Sequence, residues 1–290
     1  MKTKKTKSLP VKDHRWICPS CKVRAKTAFC PSCGEVKPLD RPISLFELFK
    51  QLIHVSTSVD GRFLRSVRYL IGQPGVLTTA YMQGRHVPYL GPVQLFLAAN
   101  VLFFAVQSLT NTNIVSSSLD SHLHTQDWSP IAQTLVDQHL IEKKMSLAAY
   151  APLFDQAVIF YGKLLIGLMV LPFTLFVYLA TIPQQRPFAT HLVFAFHFYA
   201  FLLLLFCSSL ALAEVNVLFG GVGLASATID TVLSLINLAV CTVYLYLAIG
   251  VVYGKRSITR PLKALALGAS VTAILLGYRF LLFLIVLNVT

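Results

Sequence analysis

Four cysteines near the start of the chain have the type and spacing for metal chemistry: Cys18-Pro19-Ser20-Cys21, then eight residues, then Cys30-Pro31-Ser32-Cys33-Gly34. A Cys-x-x-Cys turn brings two thiolates close enough to share one metal while turning backbone amides toward the sulfurs, and two such turns complete the tetrahedral set that zinc prefers. Lys22 to Phe29 is long enough to fold the second turn back onto the first, and Gly34 can take the φ > 0 conformation such turns often need. The reading is a small zinc ribbon with a structural Zn2+ held by Cys18, Cys21, Cys30 and Cys33. An iron site of rubredoxin type shares this ligand set. Two disulfides would need an oxidising compartment, and a thioredoxin-like site would need a βαβ context that residues 1–42 are too few to supply. Four protein ligands leave the metal no open position, so its expected role is folding rather than catalysis. Trp16, Ile17, Val23 and Phe29 are the sizeable apolar groups beside it and are expected to form a miniature core.

The elements that carry this head must be membrane elements. Of the 290 residues 55% are hydrophobic and only 13% charged, a balance that does not fit a soluble globule. Five stretches, at about 89–109, 158–182, 191–214, 229–253 and 263–289, are long and apolar enough to cross roughly 30 Å of hydrocarbon at about 1.5 Å per residue. The expected fold is therefore an all-α polytopic membrane protein of about five transmembrane helices, with the four-cysteine ribbon and interfacial amphipathic helices at its N-terminus. Residues 1–15 read as a basic arm, 16–38 as the ribbon, 39–88 as an amphipathic collar and 89–290 as the transmembrane domain with an extracytoplasmic loop at 110–157. The lysines at positions 2 to 7 imitate the start of a signal peptide, but Pro10, Lys12, Asp13, His14 and Arg15 follow instead of an apolar run, so the N-terminus is expected to stay intact.

Charge fixes the expected orientation. Residues 1–88 hold sixteen of the 25 Lys and Arg residues against five acids. Arg186 in one short loop, and Lys255, Arg256 and Arg260 in another, fall on the same side as this basic head. The opposite loops agree: 215–228 has no Lys or Arg, and 110–157 has only Lys143 and Lys144 against five acids. The N-terminus is thus expected in the cytoplasm and the C-terminus outside. A basic head of this kind matches anionic lipid headgroups; nucleic acid is the competing partner, and the juxtamembrane reading is preferred to it.

Within the collar, Leu45, Phe46, Leu48, Phe49, Leu52 and Ile53 form one apolar face, preceded by Pro42 and Ser44 as helix-opening residues. A second helix, starting near Asp60-Gly61, sets Phe63, Leu64, Val67, Leu70 and Ile71 against Arg62, Arg65 and Arg68. That arginine stripe can meet lipid phosphates; an ordinary solvated basic face is the alternative. Gln73-Pro74-Gly75 ends this helix and opens another, which leads through Tyr81-Met82-Gln83-Gly84-Arg85-His86-Val87-Pro88-Tyr89 into the first span. The ribbon, the arginine-bearing helix, the Gln-Pro-Gly break, the Tyr-x-x-Gly-Arg step and the Pro-Tyr entry together resemble the bacterial domain-of-unknown-function 3667 family over about residues 18–109. The resemblance implies an inner-membrane protein without an established activity, and it carries over no catalytic residue.

Ionisable groups inside a bilayer are costly and therefore conspicuous. Lys163 sits close enough to a span end to snorkel. Arg279 stands deeper and needs a partner; Glu214, at comparable depth in the outer half, is the expected one, as a structural brace. His191 and His197, six residues apart, do not share one helical face and read as packing histidines. Asn100 and Gln107 do share a face, as interhelical amides would. Cys207 and Cys241 read as small packing residues. No His-Glu-x-x-His, Gly-x-Ser-x-Gly or phosphate-cradling loop is present, so no enzymatic activity is expected. The functional expectation is an interaction or assembly protein with a protein partner at the ribbon, and the competing one a small-solute or ion transporter using polar groups in the spans.

Overall fold

The computed structural model describes residues 15–38, 61–110, 114, 116–254 and 258–290. The basic arm and the apolar face at Leu45 to Ile53 lie outside the described residues.

The ribbon is built from two short hairpins. Strands β1 (Trp16–Ile17) and β2 (Arg24–Ala25) pair antiparallel, with Ile17 opposite Arg24. A shift of twelve residues reproduces this pair as the bridge between Phe29 and Val36. The expected miniature core is not found. Ile17 is 61% exposed and Phe29 60%, while the interior holds Cys18, Ala25, Cys30 and Glu35. The reason is volume: the two cysteine turns and the small Ala25 fill the inside of so small a unit, and the large apolar side chains Ile17 and Phe29 point outward.

Helix α1 (Gly61–Gly72) and helix α2 (Val76–Met82) flank the Gln-Pro-Gly break. The five spans read from hydropathy are all present: Pro92–Leu109, Leu147–Thr181, Phe188–Leu218, Thr228–Val252 and Arg260–Val289. They correspond to α3 (Pro92–Leu109), α6 (Leu147–Leu165) continued by α7 (Val170–Thr181), α8 (Phe188–Leu218), α9 (Ala227–Val252) and α10 (Arg260–Val289). The chain is a multi-pass membrane protein. Between the first two spans lie α4 (Leu119–His124) and α5 (Ser129–Lys143). Helix α8 is central, packing on α3, α7, α9 and α2, and its first half is buried nearly all round. That is what a helix with no polar face requires.

The second span differs from expectation at its start and in its middle. It starts at Leu147 rather than near residue 158, and Asp155 in the added turns holds the preceding loop: its Oδ1 accepts from Leu119 N at 2.8 Å. Its middle is broken by a 3-10 turn at Ile166–Met169. Pro172 explains the break, since it lacks the N–H that would bond the Leu168 carbonyl and its ring crowds that oxygen.

Helix α2 is packed into the bundle: Leu77, Thr78, Ala80 and Tyr81 are buried, and the helix rests against α8 and α9. Gly75 makes this possible. It adopts φ 86°, and a Cβ there would stand 2.8 Å from the Ala248 carbonyl oxygen of α9. Gly75→Ala is expected to destabilise the purified protein by about 2–4 kcal/mol, from left-handed strain plus a backbone clash. Gly61→Ala, which meets nothing within 4 Å, should leave the melting temperature in detergent near the wild-type value. Equal melting temperatures for the two variants would refute the close approach.

Candidate metal centre and its seat on the bundle

The two cysteine turns are built alike. Lys22 N donates to Cys18 O and Gly34 N to Cys30 O, each at 2.9 Å; Cys18 N donates to Val23 O at 2.9 Å and Cys30 N to Glu35 O at 2.8 Å. Lys22 at φ 63° and Gly34 at φ 75° close the turns. The four sulfurs converge. Cys18 Sγ lies 3.5 Å from Cys33 Sγ, Cys21 Sγ lies 3.4 Å from Cys30 Sγ, and all four lie within 4.8 Å of one another. A tetrahedron with metal–sulfur bonds of about 2.3 Å has edges of roughly 3.8 Å, so the four thiolates fit one ion. They are far from the roughly 2.05 Å of a disulfide bond, and all are free thiols. The predicted ligand set Cys18, Cys21, Cys30 and Cys33 is thus assembled, with Cys18 and Cys30 buried.

The ribbon is seated on the membrane domain by Glu35, which sequence reasoning passed over. Its carboxylate is 2% exposed. One oxygen, Oε2, accepts from Ser20 Oγ of the first cysteine turn at 2.6 Å and from the backbone amides of His86 and Val87 at 3.0 Å each. The loop it grips lies between α2 and α3. Gly84, at φ 76°, lets the ribbon close on this loop: a Cβ there would sit 3.0 Å from Pro38 Cγ and 3.9 Å from Pro19 Cγ. A signal was available in the sequence. Under the twelve-residue shift Glu35 occupies the position of Val23, so an acid stands where the first half of the repeat is apolar.

The same loop is held from its other side by Arg62. Its Nη2 donates to Tyr89 O at 2.8 Å and to His86 O at 3.4 Å. Ser66, fully buried on α1, accepts from Leu90 N at 2.9 Å. Peptides 86–90 therefore lie between a carboxylate that takes their N–H groups and a guanidinium that takes their carbonyls. This polarises them in one direction and strengthens both sets of bonds. It also corrects the arginine stripe: Arg62 is committed to the loop, and only Arg65 and Arg68 remain exposed.

Glu35→Ala would leave two amides without their acceptor. It is expected to weaken docking by about 2–3 kcal/mol while sparing the metal ligands. Hydrogen exchange at His86 and Val87 should accelerate, with metal content unchanged; unchanged exchange would mean that Glu35 is not the anchor.

The remaining polar residues act as braces. His191 Nδ1 lies 2.8 Å from Tyr253 Oη and 3.3 Å from Thr181 Oγ1, and His197 Nδ1 lies 2.9 Å from Thr78 Oγ1. The ammonium of Lys163, an exposed residue, lies 6.0 Å from the ring centroid of Phe104. Glu214 and Arg279 do not form the expected ion pair. Arg279 Nη2 donates to Ile114 O at 2.5 Å, and the acid whose charge acts on it is Asp230. Packing is the cause: α10 rests on α9, which carries Asp230, and on α6 and α7, whereas Glu214 is on α8.

Residues 60–104 match the family described as "Protein of unknown function (DUF3667)". The matched segment comprises α1, α2, the loop that seats the ribbon and most of α3, and it is the family that the sequence resembles. No curated protein and no solved structure matches the chain.

Proposed function

We propose that the chain is an assembly protein of the bacterial inner membrane, whose zinc-clamped ribbon faces the cytoplasm and offers a docking surface to a protein partner. The single observation behind this reading is the two-sidedness of the ribbon. One side is locked to the bundle through Glu35, and on the hairpins Ile17, Phe29 and Val36 are 61%, 60% and 54% exposed. So much apolar surface on a small unit is a common mark of an interaction site. Arg15, Lys22, Arg24, Lys26 and Lys37 belong to the same short unit, so the matching partner is apolar with an acidic rim. Zinc is favoured over iron for a closed structural site, and such a site has no coordination position for substrate, so the chain is read as a non-enzyme.

The test uses the full chain in nanodiscs. A photo-crosslinker at residue 29 should capture a discrete protein, and the Ile17→Ser, Phe29→Ser, Val36→Ser triple variant should lose it while keeping its metal. Capture unaffected by the triple substitution would overturn the reading, and a cytoplasmic C-terminal reporter would overturn the orientation.

One feature favours the transporter alternative: the helix break at Ile166–Met169 within the second span, the kind of discontinuity that lines solute sites. Solute flux in proteoliposomes that is lost when Pro172→Ala heals the break would select it.

A further inference from the structure

Helix α1 divides its residues sharply between two faces. The inner face holds Arg62, Ser66 and Leu70 against the loop and bundle, with Phe63 and Val67 packed on the core. The outer face alternates apolar and cationic side chains: Leu64 is 72% exposed, Ile71 54%, and Arg65 and Arg68 are exposed between them. Leu64, Arg68 and Ile71 follow the i, i+4, i+7 spacing of one helical stripe. A cleft of about 560 Å³ opens along this face, lined among the described residues by Leu64, Arg65, Arg68, Tyr69, Gly72 and Gln73. Among the described residues no carboxylate forms an ion pair with either arginine. Tyr69, which lines the cleft, meets Tyr89 edge to face at 5.3 Å.

The geometry points to a binding site for the phosphodiester group of an anionic lipid, gripped by Arg65 and Arg68. Two observations select the lipid over a free anion, beyond the guanidinium chemistry that both would satisfy. Guanidinium groups fit phosphate oxygens through paired N–H donors, which the phosphate of either source would satisfy. Exposed Leu64 and Ile71 beside the arginines have no use for a soluble anion, but they suit the acyl boundary next to a headgroup. Helix α1 also leads through α2 directly into the first span and packs on α8, which places it at the membrane–water boundary. The inference is independent of what docks on the ribbon. It also gives the exposed arginines a role that Arg62, spent on the loop, cannot share.

The test is native mass spectrometry of the delipidated full chain in neutral detergent, titrated with phosphatidylglycerol, phosphatidylcholine, inorganic phosphate or a single-stranded oligonucleotide. Phosphatidylglycerol adducts should persist on the wild type, and Arg65→Gln/Arg68→Gln should weaken them about thirtyfold. Lys143→Gln/Lys144→Gln, at the far end of α5, should leave them unchanged. Arg65→Lys/Arg68→Lys should give intermediate retention, since charge survives but the paired donors do not. Three outcomes would overturn the site: equal retention of phosphatidylcholine, displacement of lipid by equimolar phosphate, or preference for the oligonucleotide. An undiminished adduct on a glutamine variant that melts like the wild type would do the same.

Discussion

Replacing Cys18 and Cys30 with serine is expected to unfold the ribbon and to strip its metal, with the spans left in place. These are the two buried ligands, and the hairpins beside them expose Ile17 and Phe29 rather than burying them. Of the interior, only the small Ala25 is apolar, too little to hold the unit once the thiolates are gone. A structural four-thiolate site supplies about 10–16 kcal/mol, which is the whole folding free energy of such a segment. The consequence should reach beyond the ribbon, because Glu35 follows the last ligand by two residues and its carboxylate holds the amides of His86 and Val87. Elemental analysis should give one metal per chain for the wild type and none for the double variant. Proteolysis should cut within 15–38 only in the variant, and hydrogen exchange at His86 and Val87 should rise in it, as in Glu35→Ala. The two variants separate cause from consequence: the cysteine variant loses metal and docking, Glu35→Ala docking alone. A wild-type chain without stoichiometric metal would end the ribbon reading.

What the sequence revealed and what it hid follow from the physics of each signal. Cysteine spacing is local, so the ligand set could be read directly; hydropathy reports on lipid contact, so the number of spans could be read too. Neither signal carries azimuth. Residues three apart on a helix step around the axis by about 60°, so Arg62, Arg65 and Arg68 spread over roughly 120°. One of them could turn inward while two stayed outside, and Tyr89 O and His86 O decided which. Depth in the bilayer likewise matched Glu214 to Arg279, but depth does not say which helices touch, and α10 rests on the helix that carries Asp230. Glu35 escaped notice because an isolated acid in a basic segment looks like solvated surface. Its role appears only when a loop some fifty residues later presents two free amides.

The segment between the first two spans should loosen in acid, and His122 should be the reason. This residue is fully buried on α4. Its Nδ1 accepts from Trp128 Nε1 at 3.1 Å, and its ring lies 4.8 Å from that of Phe283 and 6.0 Å from that of Phe154. The same segment is tied to α10 by Arg279 through Ile114 O and to α6 by Asp155 through Leu119 N. Burial, and then the nearby Arg279 charge, push His122 from its ordinary 6.5 down to about 4. For a base lowered in this way the folded segment holds the neutral ring. Above pH 6.5 the open and closed forms are both neutral, and the closed form keeps its full stability. Between 6.5 and about 4 only the open form takes up a proton, so stability drains away across that window, by at most about 3 kcal/mol; below it both forms are charged and the loss stops. In a Trp16→Phe background Trp128 is the sole indole, and its emission should report opening as the pH falls. His122→Phe should flatten the profile, because a phenyl ring keeps the aromatic packing and cannot be protonated. Arg279→Leu should show the opposite pattern. It should lower stability at every pH by freeing Ile114 O, yet narrow the acid window, since the charge that opposes protonation of His122 is gone. Superimposable profiles for wild type and His122→Phe would place the acid sensitivity elsewhere.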